Sequence, residues 1–390
     1  MIRIALLGAT GSIGRSTLAV VRRHADRFRV VGVSAHRSTE ALAALVDEFR
    51  PDTAVVADDG AFAACGGPGR RGDTEWRGGA RAVAELAAGD DVDVVVNALV
   101  GAAGLDATLA ALETGHRLAL ANKESLVAGG PLVRRALARG GGALVPVDSE
   151  HSAILQCIEG APEGSVARVV LTASGGPFRG WTPDELARVG PEAALRHPTW
   201  DMGAKITIDS ATLANKSLEV IEAHVLYGLD YDRIDAVVHP QSIVHSFVEF
   251  VDGSVLAQVG DPTMELPILY ALTYPDRVAD AALRGFDPVA CSPLTFEEID
   301  HAAFPLFGLG VGAGRRGGMA PAAFNAGNEI AVAAFLEGRV SFPGMARVVE
   351  AALEAVGSAE PTSVDEVREA DREARRAARA QVERLKERTA

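Results

Sequence analysis

The chain has 390 residues, 48% hydrophobic and 23% charged, which suffices for two or three domains with apolar cores and excludes a disordered polypeptide. Its net charge of −14 disfavours nonspecific binding to nucleic acid or to an anionic membrane surface, while leaving room for an anionic small ligand in a locally basic pocket. No apolar run reaches the length of a membrane span and no signal pattern opens the sequence; Cys65, Cys157 and Cys291 are widely spaced, so a cytoplasmic protein with three reduced thiols is expected.

The first element is the apolar strand Ile4 to Leu7 in IALLGATGSIG, followed by a turn with Gly8, Gly11 and Gly14 and by the amphipathic run Ser16 to Arg23. Strand, glycine turn and helix in this order bring backbone N–H groups and a helix N-terminus to a pyrophosphate, as a dinucleotide site requires. A second strand, Val30 to Val33, runs into Ser34-Ala35-His36-Arg37-Ser38. An NAD site usually carries an acid here for the ribose hydroxyls; His36, Arg37 and Ser38 suit an added 2′-phosphate, so NADP is expected over NAD. Asp58 to Ala80 is glycine-rich and reads as an irregular surface excursion.

VDVVVNAL, RLALANKES and GALVPVDSE supply further strands, separated by helical stretches at Ala103 to Leu112 and Pro131 to Ala138. This rhythm predicts a doubly wound, Rossmann-like parallel sheet. Thr10, Asn97, Asn122, Lys123, Glu124, Asp148 and Glu150 fall just beyond the carboxyl ends of these strands, where open α/β sheets bind ligands. In PVDSEHSAI, extended backbone would aim Asp148 and Glu150 at one point and turn Ser149 away. Two such carboxylates repel unless one is protonated or a cation lies between them, and oxygen-only ligands suit Mg²⁺ or Mn²⁺. The same spacing also fits a solvated loop or a helix cap.

Downstream, ARVVLTASGGPFRG reads as a strand ending in Ser174-Gly175-Gly176, whose backbone N–H groups can cradle an anion. RHPTWDMGAK places His197, Trp200 and Met202 in a loop bounded by Pro and Gly, a composition expected of a lid. ITIDSATLANKSLEVIEAH reads as a helix starting at Asp209 or Ser210, on which Asn215, Lys216 and Glu219 share a face; a surface ion pair would look the same. The only lysines are Lys123, Lys205, Lys216 and Lys386, so the ammonium groups in NKES and ANKSLE suggest point-charge work on a carbonyl, hydroxyl or phosphate. His239 and His245 share strand parity in VVHPQSIVHSFVEF and are expected to be structural; that strand pairs with DGSVLAQVG across Asp252-Gly253, a hairpin suited to a subunit interface.

GATGSIG, ANKES, PVDSEHSAI, LTASGGPFR, HPTWDMG, KITIDSATLANKSLEVIEAH, HPQSIVHS and FNAGNEIAV occur together and in this order, and on them the chain resembles the 1-deoxy-D-xylulose 5-phosphate reductoisomerase family over nearly its whole length. The resemblance implies a homodimer that uses NADPH and Mg²⁺, Mn²⁺ or Co²⁺, with the metal on Asp148, Glu150 and Glu219. It implies substrate phosphate on Ser174, Ser210, Asn215 and Lys216 beside His197, with Lys123, Ser149 and Glu150 near the carbon skeleton. Cofactor contacts would be Thr10, Gly11, Ser12, Ile13, Arg37, Ser38, Asn122, Glu124 and Gly203, with Met264 near the nicotinamide. His36, Ser38, Thr263 and Glu265 depart from the family pattern, so an ion pair at Glu265 is expected to be inverted or lost.

The expected architecture is α/β, with an NADP-binding domain at 1–148, a central α+β catalytic and dimerisation domain at 149–273, a linker at 274–300 and a C-terminal helical bundle at 301–390. The bundle carries helices at Asn328 to Glu337 and Met345 to Val356 and closes on a solvated mixed-charge helix, Val364 to Arg388. The implied activity is NADPH- and metal-dependent rearrangement and reduction of the ketose phosphate to 2-C-methyl-D-erythritol 4-phosphate. A related NADP-dependent reductase of another sugar phosphate and a catalytically silent NADP-binding regulator are the alternatives.

Overall fold

A computed structural model describes residues 1–200 and 202–387; the expected helix end at Arg388 lies outside the described residues. The chain packs as two compact units, each assembled from separated stretches. The first comprises Met1–Ser125, Leu132–Ser152 and Thr263–Leu283, and the second Leu126–Pro131, Ala153–Pro262 and the chain from Arg284 onward. These units are discontinuous, where the sequence reading divides the chain into consecutive segments.

The first unit is built on an eight-stranded sheet of β1 (Ile2–Leu7), β2 (Phe28–Ala35), β3 (Thr53–Val56), β4 (Gly69–Arg71), β5 (Thr74–Gly78), β6 (Val94–Asn97), β7 (Arg117–Leu120) and β8 (Ala143–Pro146). Their order is β4-β5-β3-β2-β1-β6-β7-β8, and every pairing is parallel except β4 with β5. Strands buried on both faces are continuous apolar runs, as in Ile4 to Leu7 and Val94 to Val96. The glycine-rich stretch after Asp58 is not an excursion: β5 pairs with β3, and β4 closes the sheet edge as a short hairpin. Its strands are short and Gly-bounded, which hides them from pattern reading.

The second unit holds a four-stranded sheet of β9 (Val166–Ala173), β10 (Ile234–Val238), β11 (Val244–Phe250) and β12 (Val255–Val259), ordered β10-β9-β11-β12. β10 runs parallel to β9, and β11 runs antiparallel to both β9 and β12, the latter being the expected hairpin. His239 and His245 do not share a strand, because β10 stops at Val238 and β11 starts at Val244. His239 sits in the connection, where its Nδ1 meets the Thr295 carbonyl at 2.8 Å and its Nε2 accepts the N–H groups of Ile243 and Val244.

Four C-terminal helices, Pro305–Arg316, Ala320–Leu336, Gly344–Glu354 and Val364–Glu387, complete this unit. A Cβ on Gly327 would lie 2.6 Å from the Ala352 Cβ, so glycine sets the close approach of the second and third. The last helix is not solvated all round: Val367, Ala370, Ala374, Ala378 and Val382 recur every three or four residues and are buried. No helix among the described residues is long and apolar enough to cross a membrane.

Candidate active site

In the first unit β1 feeds the glycine turn and then the helix Ser12–Arg23, whose N-terminus carries no side-chain cap. Gly8 adopts φ +81°, and a Cβ there would lie 2.5 Å from the Ala98 carbonyl oxygen; a Cβ on Gly14 would lie 2.4 Å from that of Gly8. Both positions therefore require glycine, and the uncapped helix start beside Thr10, Gly11, Ser12 and Ile13 has the form of a pyrophosphate cradle. Ser34, absent from the candidates read in the sequence, steadies this turn: its Oγ accepts the Gly8 N–H at 3.1 Å and its carbonyl the Ala9 N–H at 2.8 Å.

Arg37 and Ser38 are exposed after β2. The Arg37 guanidinium pairs with Asp58 at 2.9 Å, the N-cap of the short helix after β3 and a partner that local sequence does not signal. The Ala61 N–H, then Arg37, hold the Asp58 carboxyl below its usual range. Asn97 and Asn122, both buried, fix the loop between β6 and the following helix. Asn97 donates to the Gly104 carbonyl at 3.0 Å and to Thr108 Oγ1 at 2.9 Å, and Asn122 donates to the carbonyls of Leu99 and Gly101 at 2.9 Å. Asn122 Oδ1 also caps the helix Lys123–Gly140 through the Ser125 N–H at 3.1 Å, with Glu124 Oε2 against its Nδ2 at 3.2 Å.

The acid pair is arranged differently from the extended reading. β8 stops at Pro146 and a helix runs over Ser149–Ile158, so Asp148 is a cap and Glu150 lies in the first turn. Asp148 Oδ1 accepts the Glu150 N–H at 3.3 Å, and its carbonyl accepts the Ser152 N–H at 2.8 Å. Ser149 does not turn away, since its Oγ donates to Glu150 Oε2 at 2.5 Å. The reason is that orphan N–H groups and the positive end of the dipole favour acids at a helix start. Buried Lys123 reaches Asp148 Oδ2 at 2.5 Å, placing a point charge against the first acid. Met264 stands at the N-cap position of the helix Glu265–Thr273 without a side-chain cap bond, and Glu265 pairs with Arg23 at 2.7 Å.

The second unit carries a glycine turn and a serine–histidine cluster. Gly175 and Gly176 follow β9 with φ of +82° and +64°, and Ser174 Oγ accepts the Gly176 N–H at 3.2 Å. His197 Nε2 lies 3.0 Å from Ser174 Oγ and 3.1 Å from Ser210 Oγ, while its Nδ1 accepts the N–H groups of Thr199 and Trp200 at 3.1 and 2.8 Å. With Nδ1 an acceptor, the ring proton of the neutral imidazole sits on Nε2 and points at both hydroxyls. Burial pushes the His197 pKa down, so the ring is neutral at neutral pH.

The helix expected to start at Asp209 or Ser210 is instead two helices. Ala204–Ala211 begins after Gly203, and Ala214–Tyr227 follows the turn at Leu213, where φ is +58°. Asn215, Lys216 and Glu219 do share a face of the second: Asn215 Nδ2 donates to Glu219 Oε1 and Lys216 Nζ to Glu219 Oε2, with Lys216 and Glu219 both buried. A surface ion pair is thus excluded. Sequence reading also passed over Asp209, 1% exposed and held by Lys205 and Asn328, each at 2.7 Å.

A protein described as 1-deoxy-D-xylulose 5-phosphate reductoisomerase from Gloeobacter violaceus is 51% identical over 386 residues, covering 98% of this chain and 98% of its own. The chain belongs to the 1-deoxy-D-xylulose 5-phosphate reductoisomerase family. The reductoisomerase family model matches residues 4–130, and models described as its C-terminal domain match 144–227 and 259–377. Among solved structures, the reductoisomerase from Zymomonas mobilis in complex with NADPH is 41% identical, with a TM-score of 0.88 over 98% of this chain and 99% of its own. A DOX-P reductoisomerase in complex with NADPH, fosmidomycin and magnesium is 38% identical, with a TM-score of 0.92 over 99% of each chain. The α/β class, the parallel sheet of the N-terminal part and the helical C-terminal region accord with the reductoisomerase fold.

Proposed function

We propose that the chain converts 1-deoxy-D-xylulose 5-phosphate into 2-C-methyl-D-erythritol 4-phosphate, rearranging the carbon skeleton and reducing it with NADPH in the presence of a divalent cation. The observation that carries this reading is the chemistry of one donor set: Asp148, Glu150 and Glu219 offer carboxylate oxygens alone, the ligands a hard divalent ion takes, in a chain that also holds a complete dinucleotide turn. When bound, the cation supplies Lewis acidity and NADPH the reducing equivalent.

The residues divide the remaining work. Asp148, Glu150 and Glu219 hold the cation; Lys123 fixes the orientation of Asp148 and, with Ser149 and Glu150, faces the reacting carbons. Ser174, His197 and Ser210 donate to the substrate phosphate, and Asn215 and Lys216 add an amide and a positive charge from the first turn of their helix. Because the phosphate does not react, these contacts supply orientation for the distant chemistry. Thr10, Gly11, Ser12, Ile13, Arg37, Ser38, Asn122, Glu124, Gly203 and Met264 hold NADPH, with Arg37 and Ser38 on its 2′-phosphate. Magnesium and manganese match the oxygen donors, and cobalt is the third ion that the family resemblance implies.

The protein acts as a cytoplasmic homodimer in this reading. Supporting it, the hairpin of β11 and β12 leaves an edge strand with Val255 and Leu256 half exposed and Val251 exposed at its turn, an apolar edge that a second copy would cover.

The test is substrate-dependent NADPH oxidation, followed spectrophotometrically with and without a chelator. The expected result is oxidation that requires the ketose phosphate and is abolished by chelation. Oxidation with a different sugar phosphate alone would favour a related reductase, and NADPH binding with no turnover on any would favour a silent regulator.

A further inference from the structure

We propose that Asn328, in the FNAGNEIAV stretch to which no role has been attached, is a positioning residue for the phosphate end of the site, acting through Asp209. The inference rests on the reading of Ser174, His197 and Ser210 as the phosphate cradle.

A carboxylate buried as fully as that of Asp209 needs partners, and each of its oxygens has one. Lys205 Nζ lies 2.7 Å from Oδ2 and Asn328 Nδ2 donates to Oδ1 at 2.7 Å. The two partners differ in what they fix. Lys205 is one turn earlier on the same helix and moves with it. Asn328 stands 119 residues away on the helix Ala320–Leu336, whose run Ala322 to Asn328 is buried throughout, and so ties Asp209 to a separate, closely packed helix. Asn328 is itself fully buried, and among the described residues its Oδ1 meets no donor. A buried amide with half its capacity unused costs more than an apolar residue of similar size, unless the hydrogen bond it does make is needed.

That need follows from what adjoins Asp209. The next residue, Ser210, presents Oγ to His197, and its carbonyl accepts the Leu213 N–H at 3.2 Å, closing the turn on which Leu213 holds its positive φ. Ala214 then begins the helix that carries Asn215 and Lys216. On the other side a Cβ added to Gly176 would lie 2.9 Å from the Ser210 carbonyl oxygen, so the cradle has no slack to absorb a shift of this backbone. Asn328 therefore sets, through one hydrogen bond to a charged group, where Ser210 and the Asn215-Lys216 turn stand.

The experiment compares wild type with Asn328→Ala, Asn328→Asp and the reversed pair Asp209→Asn with Asn328→Asp. KM for 1-deoxy-D-xylulose 5-phosphate, KM for NADPH and the thermal stabilisation given by inorganic phosphate are read for each. Losing a hydrogen bond to a charge is expected to raise the KM for the sugar phosphate about tenfold and to remove the phosphate-induced stabilisation, with the KM for NADPH unchanged. Asn328→Asp sets two carboxylates face to face and is expected to be worse, whereas the reversed pair restores a donor and an acceptor and brings KM back towards wild type. A folded Asn328→Ala protein with wild-type KM and wild-type stabilisation by phosphate would overturn the proposal. Should Asn328→Ala fail to accumulate as soluble protein, the reversed pair decides: restored KM supports the assignment, and raised KM on an intact fold overturns it. If wild type does not turn over the ketose phosphate, the functional reading fails instead, and phosphate stabilisation alone then tests the role of Asn328.

Discussion

His245 links the pH dependence of stability to the interior of the second unit. It lies on β11, 5% exposed, and burial, helped by Lys216 and His239, pushes its pKa down to about 4, against the pull of the Gly260 and Asp261 backbone. The unfolded chain titrates near the ordinary histidine value of about 6.5. Between these values the unfolded state binds more protons than the folded one, so stability contributed by neutral His245 is fully present above pH 6.5 and is lost as pH falls towards 4. Linkage over that interval gives a loss of about 2 kcal/mol by pH 5 and about 3 kcal/mol by pH 4. His245→Gln keeps a polar side chain of similar length at this position and does not titrate. Guanidinium unfolding of both proteins at pH 7 and pH 5 is the assay. The variant is expected to lose about 2 kcal/mol less than wild type over this range. An equal loss in the two proteins would refute the reasoning.

Lys216→Met is expected to lower kcat about tenfold as well as to raise the KM for the sugar phosphate, because phosphate contacts orient the reacting end. Steady-state kinetics with an unchanged kcat would contradict this. The same substitution strands the buried Glu219 carboxylate and should cost about 3 kcal/mol of stability, read by denaturation with the metal removed. Leu256→Asp puts a charge on the apolar edge of β12 and is expected to convert the dimer to monomer in analytical ultracentrifugation, with NADPH affinity kept.

The strands and the first glycine turn were legible because each is a short apolar run ended by residues with a defined turn role, as at Gly8 and Asn122. Legibility failed where a residue kept its chemistry while its backbone context changed. Asp148 and Glu150 are close because a helix begins between them, a possibility that the cap alternative contained and strand parity did not. The break at Leu213 had no signal at all: no Gly or Pro marks it, and the positive φ is held by neighbouring hydrogen bonds and burial. Long-range partners were equally hidden. Asp58 meets Arg37 from the helix start beyond the next strand, and Asn328 meets Asp209 from another part of the chain, separations that no local pattern records. The last helix was read as solvated because its alanine stripe is weakly apolar, although small residues suit close helix packing.

The central claim is that Asp148, Glu150 and Glu219 serve one cation. Titration of Mn²⁺ into NADPH-bound protein, with free metal read by electron paramagnetic resonance, tests it most directly. Wild type is predicted to bind one ion, and Asp148→Asn and Glu219→Gln each to lose that binding while retaining NADPH affinity. Retention of wild-type Mn²⁺ binding by Glu219→Gln, in a protein that still binds NADPH, would contradict the account.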